Sequence, residues 1–188
     1  LDEPQPAING YFLYTPQSGQ PIPDGEYIIY NQSFVMTGED ATIVDGSRTI
    51  YGIVRAAATP SDTEIKTSET NKITITLVNA SSNTYYLQNH NGEYININGN
   101  DNLAYSTSPQ AITGVINTEN HAGTVAFCSG SIYIDHYSTD KETNRVFGAW
   151  SGDSTGDNRK MTLYRKVFEA SDKQALYDAL QKGAETSS

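Results

Sequence analysis

The stretch Thr84-Tyr85-Tyr86-Leu87-Gln88-Asn89-His90-Asn91-Gly92-Glu93-Tyr94-Ile95-Asn96-Ile97 holds two β-rich runs around an Asn-Gly turn. Thr, Tyr, Leu and Ile suit a pleated, half-buried surface, and Asn-Gly supplies the left-handed backbone of a tight turn. Strict alternation places Tyr94, Asn96 and Asn98 on one face and Ile95 and Ile97 on the other, which is a strand with one wet side. The same phrase returns on both sides of it. Glu26-Tyr27-Ile28-Ile29-Tyr30-Asn31 is followed by Phe34-Val35-Met36, and Thr124-Val125-Ala126-Phe127-Cys128 by Ser131-Ile132-Tyr133-Ile134-Asp135. Self-similarity at a steady spacing is the mark of a repeat architecture.

Working outward, period-two runs of four to eight residues, separated by Gly, Asn, Asp and Ser clusters, predict twelve strands. They fall at 26–31, 33–37, 49–56, 72–79, 84–88, 94–98, 102–106, 111–117, 124–128, 132–136, 146–150 and 160–167. Grouped by fours they give units at 26–83, 84–123 and 124–167. The stretch 59–71 has Pro60 and no periodicity, and reads as an exposed loop. Residues 1–24 carry five of the seven prolines and read as an extended lead-in or linker, with Tyr11-Phe12-Leu13-Tyr14 apolar enough to lie against the body. Beyond the all-β body at 25–168, residues 169–188 hold a short helix and tail. Ser171-Asp172-Lys173-Gln174 has the form of a capping box, and Ala175, Leu176, Ala179 and Leu180 make one apolar stripe over about 172–182.

Composition narrows the class. The 188 residues carry 12 basic against 22 acidic side chains, a net charge of -10, so a phosphate-neutralising surface is a poor expectation and nucleic acid a poor partner. No apolar run reaches the roughly 18 to 20 residues of a membrane helix. The single Cys128 has no partner for an internal disulfide. Abundant Ser, Thr, Asn and Tyr with little Lys fit an exported chain, extracellular or at a cell surface.

The three-unit pattern looks like a β-trefoil, and the phrase from Thr84 to Ile97 resembles the opening of a ricin-B-type lectin repeat. Across about 26–167 the chain is also similar to a trefoil-like domain of secreted multidomain proteins of gut Bacteroidetes. That domain ends in an aromatic-rich run and a closing Leu-Tyr-Lys, matched here by Arg145-Val146-Phe147-Gly148-Ala149-Trp150 and by Leu163-Tyr164-Arg165-Lys166. The resemblance implies a β-trefoil of twelve short strands in three pseudo-repeats that binds glycans without catalysis. The chain departs from the lectin pattern in lacking Gln-x-Trp, with Ile73-Thr74-Ile75-Thr76-Leu77 and Ile112-Thr113-Gly114-Val115-Ile116 standing in its place. The lectins' sugar-binding residues therefore do not transfer by position, and a site has to be read from the side chains.

Sugar recognition needs an aromatic face for the C–H side of a pyranose and fixed polar groups for its hydroxyls. Unit three supplies both most densely: Asp135 as acceptor, Asn144 as amide, and Trp150 or Tyr137 as platform. Trp150 as half-buried packing and Tyr137 as a rim residue is the plainer alternative. The acidic turn Gly152-Asp153-Ser154-Thr155-Gly156-Asp157-Asn158 offers hard oxygen ligands but no downstream bidentate Glu, so it reads as a hairpin turn and no metal or cofactor is expected. Three histidines stand apart, no Gly-x-Ser-x-Gly elbow is present, and Cys128 with His136 is the one thinkable nucleophile–base pair. The expectation is a non-enzymatic glycan-binding module of a larger secreted or surface protein. An interaction or spacer domain beside a secreted enzyme or adhesin competes with it, and a carboxylate-pair hydrolase is the remaining option.

Overall fold

The computed structural model describes residues 10–61, 63–66, 70–152, 156–166 and 177–184. The lead-in holds β1 (Gly10–Tyr14), and the first unit is built from β2 (Gly25–Asn31), β3 (Phe34–Asp45), β4 (Arg48–Ala57), β5 (Glu64–Lys66), the helical turn α1 (Thr70–Ile73) and β6 (Ile75–Ser81). The second comprises β7 (Thr84–Gln88), β8 (Tyr94–Gly99), β9 (Asn102–Ser106) and β10 (Ile112–Ile116). The third comprises β11 (Val125–Ser129), β12 (Ile132–His136), β13 (Val146–Trp150) and β14 (Thr162–Lys166), with 3-10 turns at Glu142–Asn144 and Asp157–Arg159. Residues 177–184 form a second helix, α2. The described residues are thus mostly β, with fourteen strands among them joined in one sheet.

The pairings close on themselves. β2 pairs with β6, β6 with β7, β7 with β10, β10 with β11, and β14 with β2, all antiparallel. The remaining link is a bridge between Val125 and Met161, whose amides and carbonyls exchange two hydrogen bonds of 2.9 Å. A ring of six strands leaves no open edge among its members. The pairs β3–β4, β8–β9 and β12–β13 form three hairpins. They meet one another where β4 pairs with β13 and with β9.

Each unit sends the same alternate positions inward. Tyr27, Ile29, Met36 and Ile53, then Tyr85, Leu87, Ile95 and Leu103, then Val125, Phe127, Ile134 and Phe147 belong to one buried cluster. Each such side chain contributes roughly 1.5 to 3 kcal/mol by leaving water. Ile22, from the lead-in, is buried in the same cluster, and its amide donates to the Tyr85 hydroxyl at 2.9 Å.

Two strands go beyond the twelve expected. β1 lies in the lead-in and pairs with β14, and β5 lies in the stretch expected as a loop and pairs with β1. Together they cover a second cluster of Tyr11, Ile28, Val35, Ile65 and Tyr164. The hydroxyl of Tyr11 bonds that of Thr74 at 2.8 Å. β3 also runs on to Asp45, because a bulge between Met36 and Asp40 resets the register and lets the strand continue as a projecting arm. Gly38 sits in that bulge, where a Cβ would come within 2.5 Å of the His90 ring.

The expected C-terminal helix is helical over 177–184, and all eight residues are exposed, Leu180 at 66%. Tyr177 and Leu180 there are both largely open to solvent. Ser171 to Leu176, including the capping-box residues, lie outside the described residues, as do Asp153, Ser154 and Thr155 of the acidic turn. No described helix is long and apolar enough to cross a membrane.

Candidate functional site

The third hairpin carries the expected site, and its alternation sorts the residues. Asp135 opposes Gly148 and Tyr133 opposes Trp150 across β12 and β13, so these side chains share one face of the hairpin. Glycine at 148 leaves that face hollow. The six-membered ring of Trp150 lies in the hollow, and a Cβ on Gly148 would come within 2.3 Å of Cη2. The indole therefore rests on the strand backbone, and Trp150 stays partly exposed. Tyr137 meets it edge-on, with ring centroids 5.4 Å apart and an interplanar angle of 68°.

The indole N–H is held as well. Trp150 Nε1 donates to Asp101 Oδ1 at 2.6 Å. Asp101 also receives Arg48 Nε at 3.0 Å and Arg48 Nη2 at 2.7 Å, a two-pronged ion pair. The Arg48 bonds, and after them the Trp150 bond, hold the Asp101 carboxyl below its ordinary range. Asp101 has a positive φ of 62° in the turn between β8 and β9, a conformation Asp tolerates. Its amide donates to Ala149 O and its carbonyl accepts from Tyr51 N, both at 2.8 Å. One residue of the second unit thus ties the first and third hairpins together beside the indole.

The polar members of the expected site are placed differently. Asp135 is fully buried and pairs with Arg159, Nε to Oδ1 at 3.1 Å and Nη2 to Oδ2 at 3.3 Å. Arg159 also stacks over the Tyr133 ring at 4.0 Å and donates to the Gly152 carbonyl. The Asp135 carboxylate is an internal counter-ion, not a surface acceptor. Asn144 donates its side-chain amide to Thr139 Oγ1 at 2.8 Å, and its main-chain carbonyl accepts from Arg55 Nη1 at 3.2 Å. Of the four residues, the structure brings Tyr137 and Trp150 together as an aromatic corner. Arg48, Asp101 and Asn100 complete its rim, with Asn100 Oδ1 accepting from Ser151 N at 2.9 Å.

Cys128 and His136 do not form a pair. His136 is fully buried, with Nδ1 bonded to Asn31 Oδ1 at 3.0 Å and Nε2 facing Arg55 Nη1 at 2.9 Å. A guanidinium can only donate, so Nε2 accepts and the imidazole is neutral. Burial, and then the Arg55 charge, push its pKa down to about 4. The Cys128 thiol is pushed up by burial, which keeps it protonated and a poor nucleophile.

Among the described residues no group of three or more His, Cys, Asp or Glu side chains is arranged to hold a metal. A second concavity of about 360 Å³ lies between Asn117, Glu119, His121 and Lys160. Three of its polar side chains already pair within the chain, Lys160 Nζ with Asn117 Oδ1 at 3.0 Å and His121 Nε2 with Asp157 Oδ1 at 2.7 Å. No Tyr, Trp or Phe lines it. No protein-family model, no curated protein and no solved structure matches this chain.

Proposed function

We propose that the chain is a β-trefoil serving as a non-catalytic glycan-binding module of an exported protein, extracellular or at the cell surface. The closed six-strand pairing circuit, the three hairpins and the threefold repetition of core positions support the fold. The observation that carries the function is the aromatic corner. Trp150 lies over Gly148 with Tyr137 at its edge and its N–H fixed by Asp101. A pinned, partly exposed indole offers a stacking surface whose orientation is set before a ligand arrives, which lowers the entropy cost of binding.

Trp150 is the only tryptophan, so its emission reports directly on this surface. Titration with plant and host polysaccharides should quench or shift the emission, and Trp150→Ala should abolish retention in affinity gels containing the same glycan. A broad glycan array with no binder would remove the reading.

The interaction or spacer reading has its own support. Asp135 and Asn144 are already engaged within the chain, so the hairpin can serve as plain structure. On that reading glycan screens stay silent, while deletion of residues 26–167 from a longer parent chain changes the activity or stability of its neighbours.

A further inference from the structure

Two N–H groups beside the indole have no described partner. Arg48 spends Nε and Nη2 on Asp101, and its Nη1 donates to no described residue. Asn100 spends its Oδ1 on Ser151 N, and its amide nitrogen likewise has no described partner. Both Asp101 oxygens already accept bonds from within the chain. Arg48 Nη2 and Trp150 Nε1 reach the same Asp101 oxygen from 2.7 and 2.6 Å, so the guanidinium stands at the edge of the indole. Arg48 is 47% exposed. The rim therefore presents N–H donors and asks its ligand for an acceptor.

Charge then selects among acceptors. The Arg48 cation is matched by Asp101, and Asp45, its cross-strand partner at the hairpin end, adds a second carboxylate. The whole chain carries -10. A carboxylated or sulfated sugar would approach a negative field in which Arg48, the cation at the indole edge, is already compensated. A neutral acceptor avoids that cost. The strongest neutral acceptor on common sugars is the carbonyl of an acetamido group, and its methyl is apolar enough to lie against an aromatic edge.

Resting on the glycan reading, we propose that the Trp150–Tyr137 corner selects sugars bearing a neutral acetamido group, with Arg48 as the residue that sets the preference. The indole stacks on the pyranose, the acetamido carbonyl accepts from Arg48 Nη1, and the methyl packs toward the Tyr137 edge. Plain hexoses stack equally well but offer only hydroxyls to the donors. Uronic acids satisfy the donors but meet the surrounding negative charge.

The test compares chitotetraose with cellotetraose, which share a β-1,4 backbone and differ in acetamido against hydroxyl at carbon 2, and adds an oligogalacturonate. Trp150 emission and calorimetry are read on the same samples. Chitotetraose should bind about tenfold more tightly than cellotetraose, the worth of one hydrogen bond from a charged donor, and oligogalacturonate more weakly than either. Arg48→Met should bring the ratio of chitotetraose to cellotetraose affinity from about ten to near one, and an unaltered thermal transition would show that the variant is folded. Equal affinity for the two tetrasaccharides, or tighter binding of the galacturonate, would overturn the acetamido assignment and leave the glycan reading standing. Silence with all three together with an empty glycan array would overturn both.

Discussion

Arg159 and Asp135 form an ion pair sealed within the third unit, with Nε 3.1 Å from Oδ1 and side-chain exposures of 3% and 1%. The guanidinium is capped by the Tyr133 ring and bound to the Gly152 carbonyl. Taking either partner away leaves an uncompensated buried charge, whereas removing both leaves neither. Asp135→Leu and Arg159→Met should each lower stability by about 3 to 5 kcal/mol in urea denaturation. The double variant Asp135→Leu with Arg159→Met should cost less than the two single losses combined. Strict additivity of the singles would show that the pair is not coupled.

His136 makes the fold sensitive to mild acid. Its folded pKa is about 4 against an ordinary 6.5, so as pH falls through 6.5 the unfolded chain takes up a proton that the folded chain refuses. The imidazole's contribution is complete above pH 6.5, is lost progressively between 6.5 and about 4, and changes no further below that. The loss is on the order of 3 kcal/mol at 1.36 kcal/mol per pKa unit. Urea midpoints measured at pH 7.5 and 4.5 should differ accordingly, and His136→Gln should flatten the slope in that window whatever its own stability. An equally steep slope in the variant would assign the acid sensitivity to other groups.

Gly148 is the seat of the indole. Gly148→Ala places a methyl 2.3 Å from Trp150 Cη2, and the ring must lift. Overpacking of this kind costs about 1 to 3 kcal/mol. Trp150 emission should shift to the red as the ring moves into water, and glycan retention, where it exists, should fall with it. Unchanged emission would mean the ring does not rest on residue 148.

Ile22 reaches the main core from outside the repeats. Ile22→Ala should destabilise by about 2 to 5 kcal/mol, as for other large-to-small core changes. Thermal unfolding is the measurement, and a loss under about 0.5 kcal/mol, the range of ordinary surface substitutions, would show that the side chain is dispensable.

Much of the strand plan could be read from local pattern. The strands Thr84–Gln88, Asn102–Ser106, Ile132–His136 and Val146–Trp150 coincide with the expected runs, since alternation and flanking turn residues are short-range signals. β1 and β5 escaped that reading because each takes its place from partners far along the chain, β1 from β14 and β5 from β1. The site was half visible for the same reason. Trp150 and Tyr137 stand out by composition. Asp135 misleads, because alternation separates two faces without saying which one another element will cover, and Arg159 covers it from 24 residues away. The Arg48–Asp101 clamp joins residues 53 apart on different hairpins, and nothing in either neighbourhood announces the other.

The amide of Ile22 and the hydroxyl of Tyr85 meet where the lead-in enters the ring of strands. The prolines at 21 and 23 flank this contact and limit the conformations the unfolded segment can sample. The segment behaves as a stopper tethered to its own bottle. A version trimmed to begin at Gly25 would lose β1 and Ile22 and leave the Tyr85 hydroxyl and the apolar residues beneath it facing water. Anyone transplanting this module into another polypeptide should carry the stopper along, cutting ahead of Gly10 and not at Gly25.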